Sequence, residues 1–334
     1  MKNKIKYFLI IALLTCIIVF IFFIPSIFYS QSTCDNKLDV YRWDLDVFRL
    51  DDNQNRDSLI QKIKINMDPV FSFSKEDYDF LMQDPTFKII SDSTYAIFSD
   101  RVPYIEEISE GFCRYQSYFP SVEDPKIIIY LDDYITQVAN PSFSPPFFPV
   151  DYHSKNWVSL GLNWFLGPDH AFYQSIPDYL RLRYDSVYIS PMIFHQLGMD
   201  YINSNTLIDF NDETFLASMI STAKPYFFAK HMLPNVPEYR IFGFTLDEMQ
   251  FAYENEEFFW KDILLKEQMI YSSDRELKDL YIIPGPNLNC PSRLGTWLGF
   301  KILDSYFINK KVSLKDILLE SNFKKILNES NYQP

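Results

Sequence analysis

The chain has 334 residues, enough for one or two domains of roughly 150 residues each. Its 44 acidic residues against 31 basic ones give a formal net charge of -13. This balance excludes a nucleic-acid partner, because contacts to phosphates need a surplus of Lys and Arg. Hydrophobic residues make up 47% of the sequence, which excludes wholesale disorder, and only 8 glycines are available for glycine-rich phosphate-binding loops.

The N-terminus carries an apolar segment of membrane-spanning length. Lys2, Lys4 and Lys6 precede an apolar run over residues 7–29, and about 20 apolar residues span a hydrocarbon core. The basic flank predicts that this end stays in the cytoplasm and that the rest is exported to the periplasmic side. A cleaved signal peptide is the alternative, although its apolar region is normally only about 7–15 residues long. We therefore predict a signal or anchor segment at residues 1–33 and an exported domain at residues 34–334.

Cys34 lies just after the apolar run, where a bacterial lipoprotein carries its acylated cysteine. Lipidation would add about 0.8 kcal/mol of membrane affinity for each buried CH₂. The residues before it, Gln31, Ser32 and Thr33, are polar, and an unmodified thiol in a linker is the alternative. The residues themselves leave both alternatives open.

The exported part shows the pattern of an α+β fold. Short β-prone pieces occur within residues 87–98, and apolar residues at three- and four-residue spacing predict a helix over residues 102–119. Continuous β-branched and aromatic runs predict strands at residues 126–131 and 157–165. Further helices are predicted at residues 190–203, 212–233, 245–271, 293–308 and 313–327. No repeat or flexible linker divides this body, so we predict a single, mostly helical domain with a small sheet in its first half.

Catalytic motifs are absent from the sequence. None of the four histidines, His153, His170, His195 and His231, belongs to a His-Glu-x-x-His zinc motif. A zinc site built from distant histidines is the alternative. Gly-x-Ser-x-Gly and Gly-x-Gly-x-x-Gly are also missing, so neither a nucleophile elbow nor a dinucleotide site is indicated. We therefore predict no catalytic residue, no metal and no cofactor.

Residues 284–299 form the most distinctive segment. A proline-rich loop precedes Ser292, which is well placed to cap the following helix. Gly295 and Gly299 lie one helical turn apart and would let another backbone approach closely. Because Trp297 and its neighbours place apolar side chains on nearly all sides of the predicted helix, we predict a buried central helix. A ligand site is the alternative.

Two cysteines, Cys113 and Cys290, lie inside the exported body. The exported compartment permits disulfides, so a bridge between them is one possibility. Two separately buried thiols are the other.

Several motifs along the chain resemble those of the GldB-type gliding-motility lipoproteins of Bacteroidetes. They occur in the family's order from about Cys34 to the C-terminus: the Val-Tyr-Arg-Trp-Asp-Leu-Asp-Val-Phe run at residues 40–48, the segments at 118–120 and 166–173, and Arg-Leu-Gly-Thr-Trp-Leu-Gly-Phe at 293–300. This resemblance implies an exported, membrane-anchored protein connected with gliding motility and the type IX secretion machinery. It also implies a fold similar to zinc metallopeptidases, without a working protease.

The same resemblance draws attention to one helix. Many members carry Glu-Gly-Lys in the helix equivalent to the metal helix of the peptidases. In this chain Lys224 matches, whereas Thr222 and Ala223 depart from the pattern. Pro225 is predicted to kink the helix.

The leading hypothesis is a non-enzymatic protein that acts through contacts with other cell-envelope or motility proteins. Its candidate contact or structural residues are Lys224, Glu254, Glu256, Arg293 and Trp297, and we expect Lys224 to pair with Glu254 or Glu256. Two alternatives remain. One is a divergent hydrolase whose site includes Lys224, Glu254, Glu256 and Arg293. The other is a glycan-binding module that uses the aromatic loop at residues 141–149.

Overall fold

The computed structural model describes residues 38–49, 58, 61, 83–122, 125–132, 150–153, 157–205, 212–265, 268–283, 285 and 290–334. These residues belong to one unit, Lys37–Pro334. Within the ranges just given, no helix is both long enough and apolar enough to cross a membrane. The predicted anchor at residues 1–33, Cys34 and the loop at residues 141–149 lie outside the described residues.

A four-stranded sheet occupies the first half of the described chain. Its strands are β1 (Asp39–Arg42), β2 (Lys126–Tyr130), β3 (Val150–His153) and β4 (Trp157–Gly161), in the order β1-β2-β4-β3. Strands β1, β2 and β4 are parallel, and β3 runs antiparallel to β4. The continuous apolar run of β2 is buried throughout its middle, as expected for a central strand covered on both faces. The strand predicted at residues 126–131 is confirmed, whereas the second predicted strand ends early and continues as the 3-10 turn Leu162–Trp164.

Among the described residues of this half, three helices accompany the sheet: α1 (Trp43–Phe48), α2 (Pro85–Phe98) and α3 (Ile105–Tyr118). Helix α3 confirms the helix predicted over residues 102–119. Helix α2 shows that the β-prone interpretation of residues 87–98 is wrong. The side chain of Asp84 accepts a hydrogen bond from Thr86 N at 2.8 Å, and Pro85 occupies the first helical position, so the chain starts a helix there. Phe87, Ile90 and Thr94 are then buried at helical spacing.

The second half of the described chain is helical. Its helices are α4 (Asp178–Arg181), α5 (Ile189–Asn205), α6 (Phe215–Met232), α7 (Glu238–Phe242), α8 (Leu246–Glu254), α9 (Glu256–Phe258), α10 (Arg275–Tyr281), α11 (Leu294–Lys310), α12 (Leu314–Leu319) and α13 (Phe323–Ser330). The helix predicted over residues 245–271 is interrupted, and a π-helix covers Phe259–Leu265. The helix predicted over residues 313–327 is two helices, because Ser313 caps α12 and Asn322 caps α13.

Helices α5, α6 and α11 form the centre of this helical half. A Cβ added to Gly299 would lie 2.1 Å from Met219 O, so the backbones of α11 and α6 are in direct contact. The buried central helix and its glycine-mediated close approach are therefore confirmed. Two details differ from expectation. Helix α6 extends as one element through Pro225, and the N-cap of α11 is Arg293 rather than Ser292.

Candidate functional site

Lys224 is a buried cation on α6. Its Nζ donates a hydrogen bond to the carbonyl oxygen of Glu320 at 2.7 Å and lies 5.6 Å from the centre of the Phe323 ring. Burial lowers the pKa of Lys224 to about 8. The ammonium group thus holds the segment between α12 and α13 against α6. This contact replaces the predicted pairing of Lys224 with Glu254 or Glu256.

The two predicted carboxylates have partners of their own. Glu254 is exposed and accepts a hydrogen bond from Gln250 Nε2 at 2.7 Å, one turn earlier on α8. Glu256 accepts a hydrogen bond from the Tyr332 hydroxyl at 2.6 Å, which fastens the C-terminal residues to α9. Both carboxylates therefore take part in structural contacts within the fold.

Trp297 is fully buried on α11. Its indole Nε1 donates to Glu238 Oε2 at 3.2 Å, and its ring meets the Tyr253 ring edge to face at 5.4 Å. The Tyr253 hydroxyl donates to the same carboxylate oxygen at 2.8 Å. Trp297 thus connects α11 with α7 and α8. No contact described for these residues joins Lys224, Glu254 or Glu256 to Arg293, so the structure does not assemble the predicted hydrolase site.

The two cysteines of the exported body differ in oxidation state. Cys113 is disulfide-bonded, whereas Cys290 is a buried thiol outside any disulfide. The two therefore do not bridge each other.

Arg293, by contrast, leads to a cluster that the sequence did not predict. It is buried, and its Nη1 donates to the Tyr226 hydroxyl at 3.1 Å and to the carbonyl oxygen of Phe242. Its Nη2 donates to the carbonyl oxygen of Gly243 at 3.2 Å. Arg293 itself has a left-handed backbone with φ of 67° at the start of α11, and its hydrogen bond to Tyr226 connects this start to α6.

A second arginine and a histidine complete this group. Arg183, in the 3-10 turn Leu182–Tyr184, also acts electrostatically on the Tyr226 hydroxyl. Gly243 packs so closely that a Cβ there would lie 3.0 Å from Arg183 Cζ. The His195 ring from α5 lies 4.4 Å from the Tyr226 ring. We call Arg183, His195, Tyr226 and Arg293 the arginine cluster.

Burial and mutual repulsion dominate the electrostatics of the arginine cluster. Burial, followed by the charge of Arg293, lowers the pKa of Arg183 to about 9. Burial and both guanidinium charges lower the pKa of His195 well below its ordinary value, so its ring is neutral at pH 7. Burial raises the pKa of Tyr226, but the two arginines outweigh this effect, and the net shift is downward.

The arginine cluster is chemically suited to anions. Guanidinium groups only donate hydrogen bonds, and a phenol and a neutral imidazole each add one more donor. The part of the chain that the structure describes contains no group of three or more His, Cys, Asp or Glu side chains able to hold a metal ion. Sequence reasoning missed Arg183, His195 and Tyr226. The one available signal, an arginine between Leu182 and Tyr184, is too common to be informative.

The comparisons with known proteins bear on this body as a whole. The family model described as gliding motility protein GldB matches residues 29–334, nearly the whole chain. No curated protein and no solved structure matches the chain significantly. The predicted likeness to zinc metallopeptidases therefore receives no support.

Proposed function

This chain belongs to the gliding motility protein GldB family of lipoproteins, and on that premise we propose that it is a non-enzymatic, membrane-anchored envelope protein. It serves gliding motility and the associated type IX secretion machinery by contacting other proteins of the envelope. The family match across residues 29–334 is the observation that carries this proposal.

Exposed apolar side chains in one stretch of the chain support a role in protein contacts. Five of them lie on or directly after α9, the π-helix, the 3-10 turn Met269–Tyr271 and α10: Phe258, Leu265, Tyr271, Leu280 and Ile283. The π-helix contacts both α9 and the 3-10 turn. The rings of Phe259 and Tyr281, 5.7 Å apart, connect the π-helix to α10. Grouped exposed apolar residues of this kind mark interaction sites. We call these five residues the 258–283 surface.

The disulfide of Cys113 supports the exported location. Disulfides persist in oxidising compartments such as the periplasm and are rare in the cytosol. A body that contains one is suited to the outer side of the cytoplasmic membrane, as the basic flank of the N-terminal segment predicts.

The contact function is tested in a deletion strain that carries the full-length gene. We replace Phe258→Ser together with Ile283→Ser and compare cell spreading and the proteins recovered after crosslinking. We expect the double variant to lose both motility and its crosslinked partners at unchanged membrane abundance, because an apolar contact area is lost. The control is Ile308→Ser, an equally apolar exposed residue on α11. Wild-type motility and crosslinks in the double variant would refute a contact role for the 258–283 surface.

The anchor is tested separately. We expect Cys34→Ser to leave most of the protein in the membrane fraction, because the apolar segment at residues 7–29 is long enough to be retained as a helix. Cell fractionation followed by immunoblotting measures the distribution. Complete release of the variant into the soluble fraction would mean that lipid on Cys34 is the only anchor.

A further inference from the structure

We propose that the 258–283 surface binds a partner protein through a segment that carries apolar side chains together with lysine or arginine. This inference rests on the contact function proposed above and names the chemistry of the partner. The observation behind it is that exposed carboxylates lie among the exposed apolar side chains of this surface.

Helix α10 presents both kinds of side chain on one face. Glu276, Asp279, Leu280 and Ile283 are all exposed, whereas Leu277 is buried. Residues three and four positions apart are neighbours on a helix, so the two carboxylates lie beside the two exposed apolar side chains. Ile283 belongs to this face, because its backbone N donates a hydrogen bond at 3.0 Å to the carbonyl oxygen five residues earlier. The exposed face of α10 is thus both apolar and acidic.

The apolar part continues from α10 to α9 through the π-helix. The centre of the Phe259 ring lies 6.1 Å from that of Phe258 and 5.7 Å from that of Tyr281. These ring contacts connect the exposed Phe258 with the helix that carries Leu280. A π-helix is rare and is found mostly at functional sites, and here it lies in the middle of the surface.

The elements that carry this surface have an excess of acidic residues. Residues 256–283 contain seven acidic and four basic residues. Within the described part of this stretch, Arg275 Nε lies 3.9 Å from Asp279 Oδ2 and Lys261 Nζ lies 2.6 Å from Glu257 Oε1. Such exposed ion pairs are weak because water screens them, so a cation of a partner competes with them readily.

A lysine borders the surface at its other end. Lys324 Nζ, on α13, lies 5.8 Å from the centre of the Tyr271 ring. The acidic part of the surface is therefore at α9 and α10. We place the basic side chains of the partner there and its apolar side chains on Phe258, Leu280 and Ile283.

This charge pattern distinguishes between three candidate occupants. A second copy of the chain that used the same surface symmetrically would bring like charges together, which is unfavourable. An anionic membrane would also repel the carboxylates. A protein segment with basic side chains next to its apolar ones complements both parts of the surface.

The first test joins carboxylates directly to amines. Membranes from cells that express the full-length wild-type protein are treated with a carbodiimide, which links a carboxylate to an adjacent lysine through an amide. We expect mass spectrometry to find Glu276 or Asp279 linked to a lysine of another protein, in a segment that also carries apolar residues. Links from these two carboxylates only to peptides of the same chain would overturn the proposal. Arginines do not react in this way, and for them the second test decides.

The second test reverses the charge of this face. In the deletion strain we compare formaldehyde crosslinks and cell spreading for Glu276→Lys together with Asp279→Lys. We expect the partner crosslinks to fall about tenfold and motility to be lost at unchanged membrane abundance, because basic groups would then face basic groups. The control is Asp92→Lys together with Glu110→Lys, two exposed carboxylates that also pair with a cation one helical turn away. The control should behave as the wild type does.

The outcomes separate this inference from the contact function on which it rests. Suppose that Phe258→Ser with Ile283→Ser loses motility while the charge-reversal variant keeps wild-type motility and crosslinks. The basic partner would then be wrong and the contact function would stand. Equal losses in the charge-reversal variant and its control would also overturn the proposal, because net charge rather than this surface would be responsible.

Discussion

At the scale of the residue, Lys224 shows how burial changes a side chain. Its ammonium group is enclosed between α6 and the segment that joins α12 to α13, with one carbonyl oxygen as its described hydrogen-bond acceptor. The pKa of Lys224 in the folded protein is about 8, compared with 10.5 for an ordinary lysine. The folded state therefore releases this proton at a lower pH than the unfolded chain does.

This difference predicts a pH dependence of stability. Between pH 8 and 10.5 the unfolded chain binds more protons than the folded protein, so the contribution of Lys224 to stability rises with pH in this window. Below pH 8 the full cost of burying the charge is present. At about 1.4 kcal/mol per pH unit, the rise amounts to roughly 3 kcal/mol. We expect Lys224→Met to lack it, as measured by urea unfolding at pH 7 and pH 10.

Other lysines and tyrosines titrate in the same range, so the comparison needs a matched control. Lys315 is exposed on α12, close in the chain to the segment that Lys224 contacts. Lys315→Met should retain the full rise in stability. An equal rise in Lys224→Met and Lys315→Met would show that Lys224 is not the group responsible.

At the scale of the element, the contact between α6 and α11 is set by glycine. The Cβ of an alanine at position 299 would lie 2.1 Å from Met219 O and 2.5 Å from the carbon of that carbonyl. Because these are backbone atoms, neither can move without separating the two helices. Gly299→Ala should therefore destabilise the protein by about 3 kcal/mol or more, as measured by thermal unfolding.

Gly285 is the matched control for this substitution. Among the residues that the structure describes, no atom would lie within 4 Å of a Cβ at Gly285. Gly285→Ala should leave the melting temperature nearly unchanged. A loss of stability in Gly285→Ala as large as that in Gly299→Ala would contradict the steric explanation.

At the scale of the whole molecule, the reactivity of Cys113 and Cys290 shows which cysteines are oxidised. In the denatured, unreduced protein we expect a maleimide to label Cys290, because this thiol is outside any disulfide. Cys113 should be labelled only after reduction, because it is disulfide-bonded. Mass spectrometry of the labelled peptides distinguishes the two. In the native protein Cys290 should react slowly, since it is buried.

Local sequence pattern is sufficient to predict several elements of this molecule. The buried run of β2 and the periodicity of α3, α5, α6 and α11 were predicted because a strand or helix buries residues at a fixed spacing along its own chain. The motifs that resemble those of the GldB family are also short, continuous stretches of sequence. Helix α2 shows the limit of prediction from side-chain type. Its residues are β-prone, but Asp84 and Pro85 at its start favour a helix.

Contacts between side chains of different elements depend on how those elements pack in three dimensions. Lys224 contacts the carbonyl of Glu320 instead of Glu254 or Glu256, and Arg293 lies near enough to Arg183 for its charge to lower the pKa of Arg183. Sequence spacing within one helix predicts its buried face, but not the neighbour that covers that face. The arginine cluster depends on how elements far apart in the chain pack together, and no local pattern carries that information.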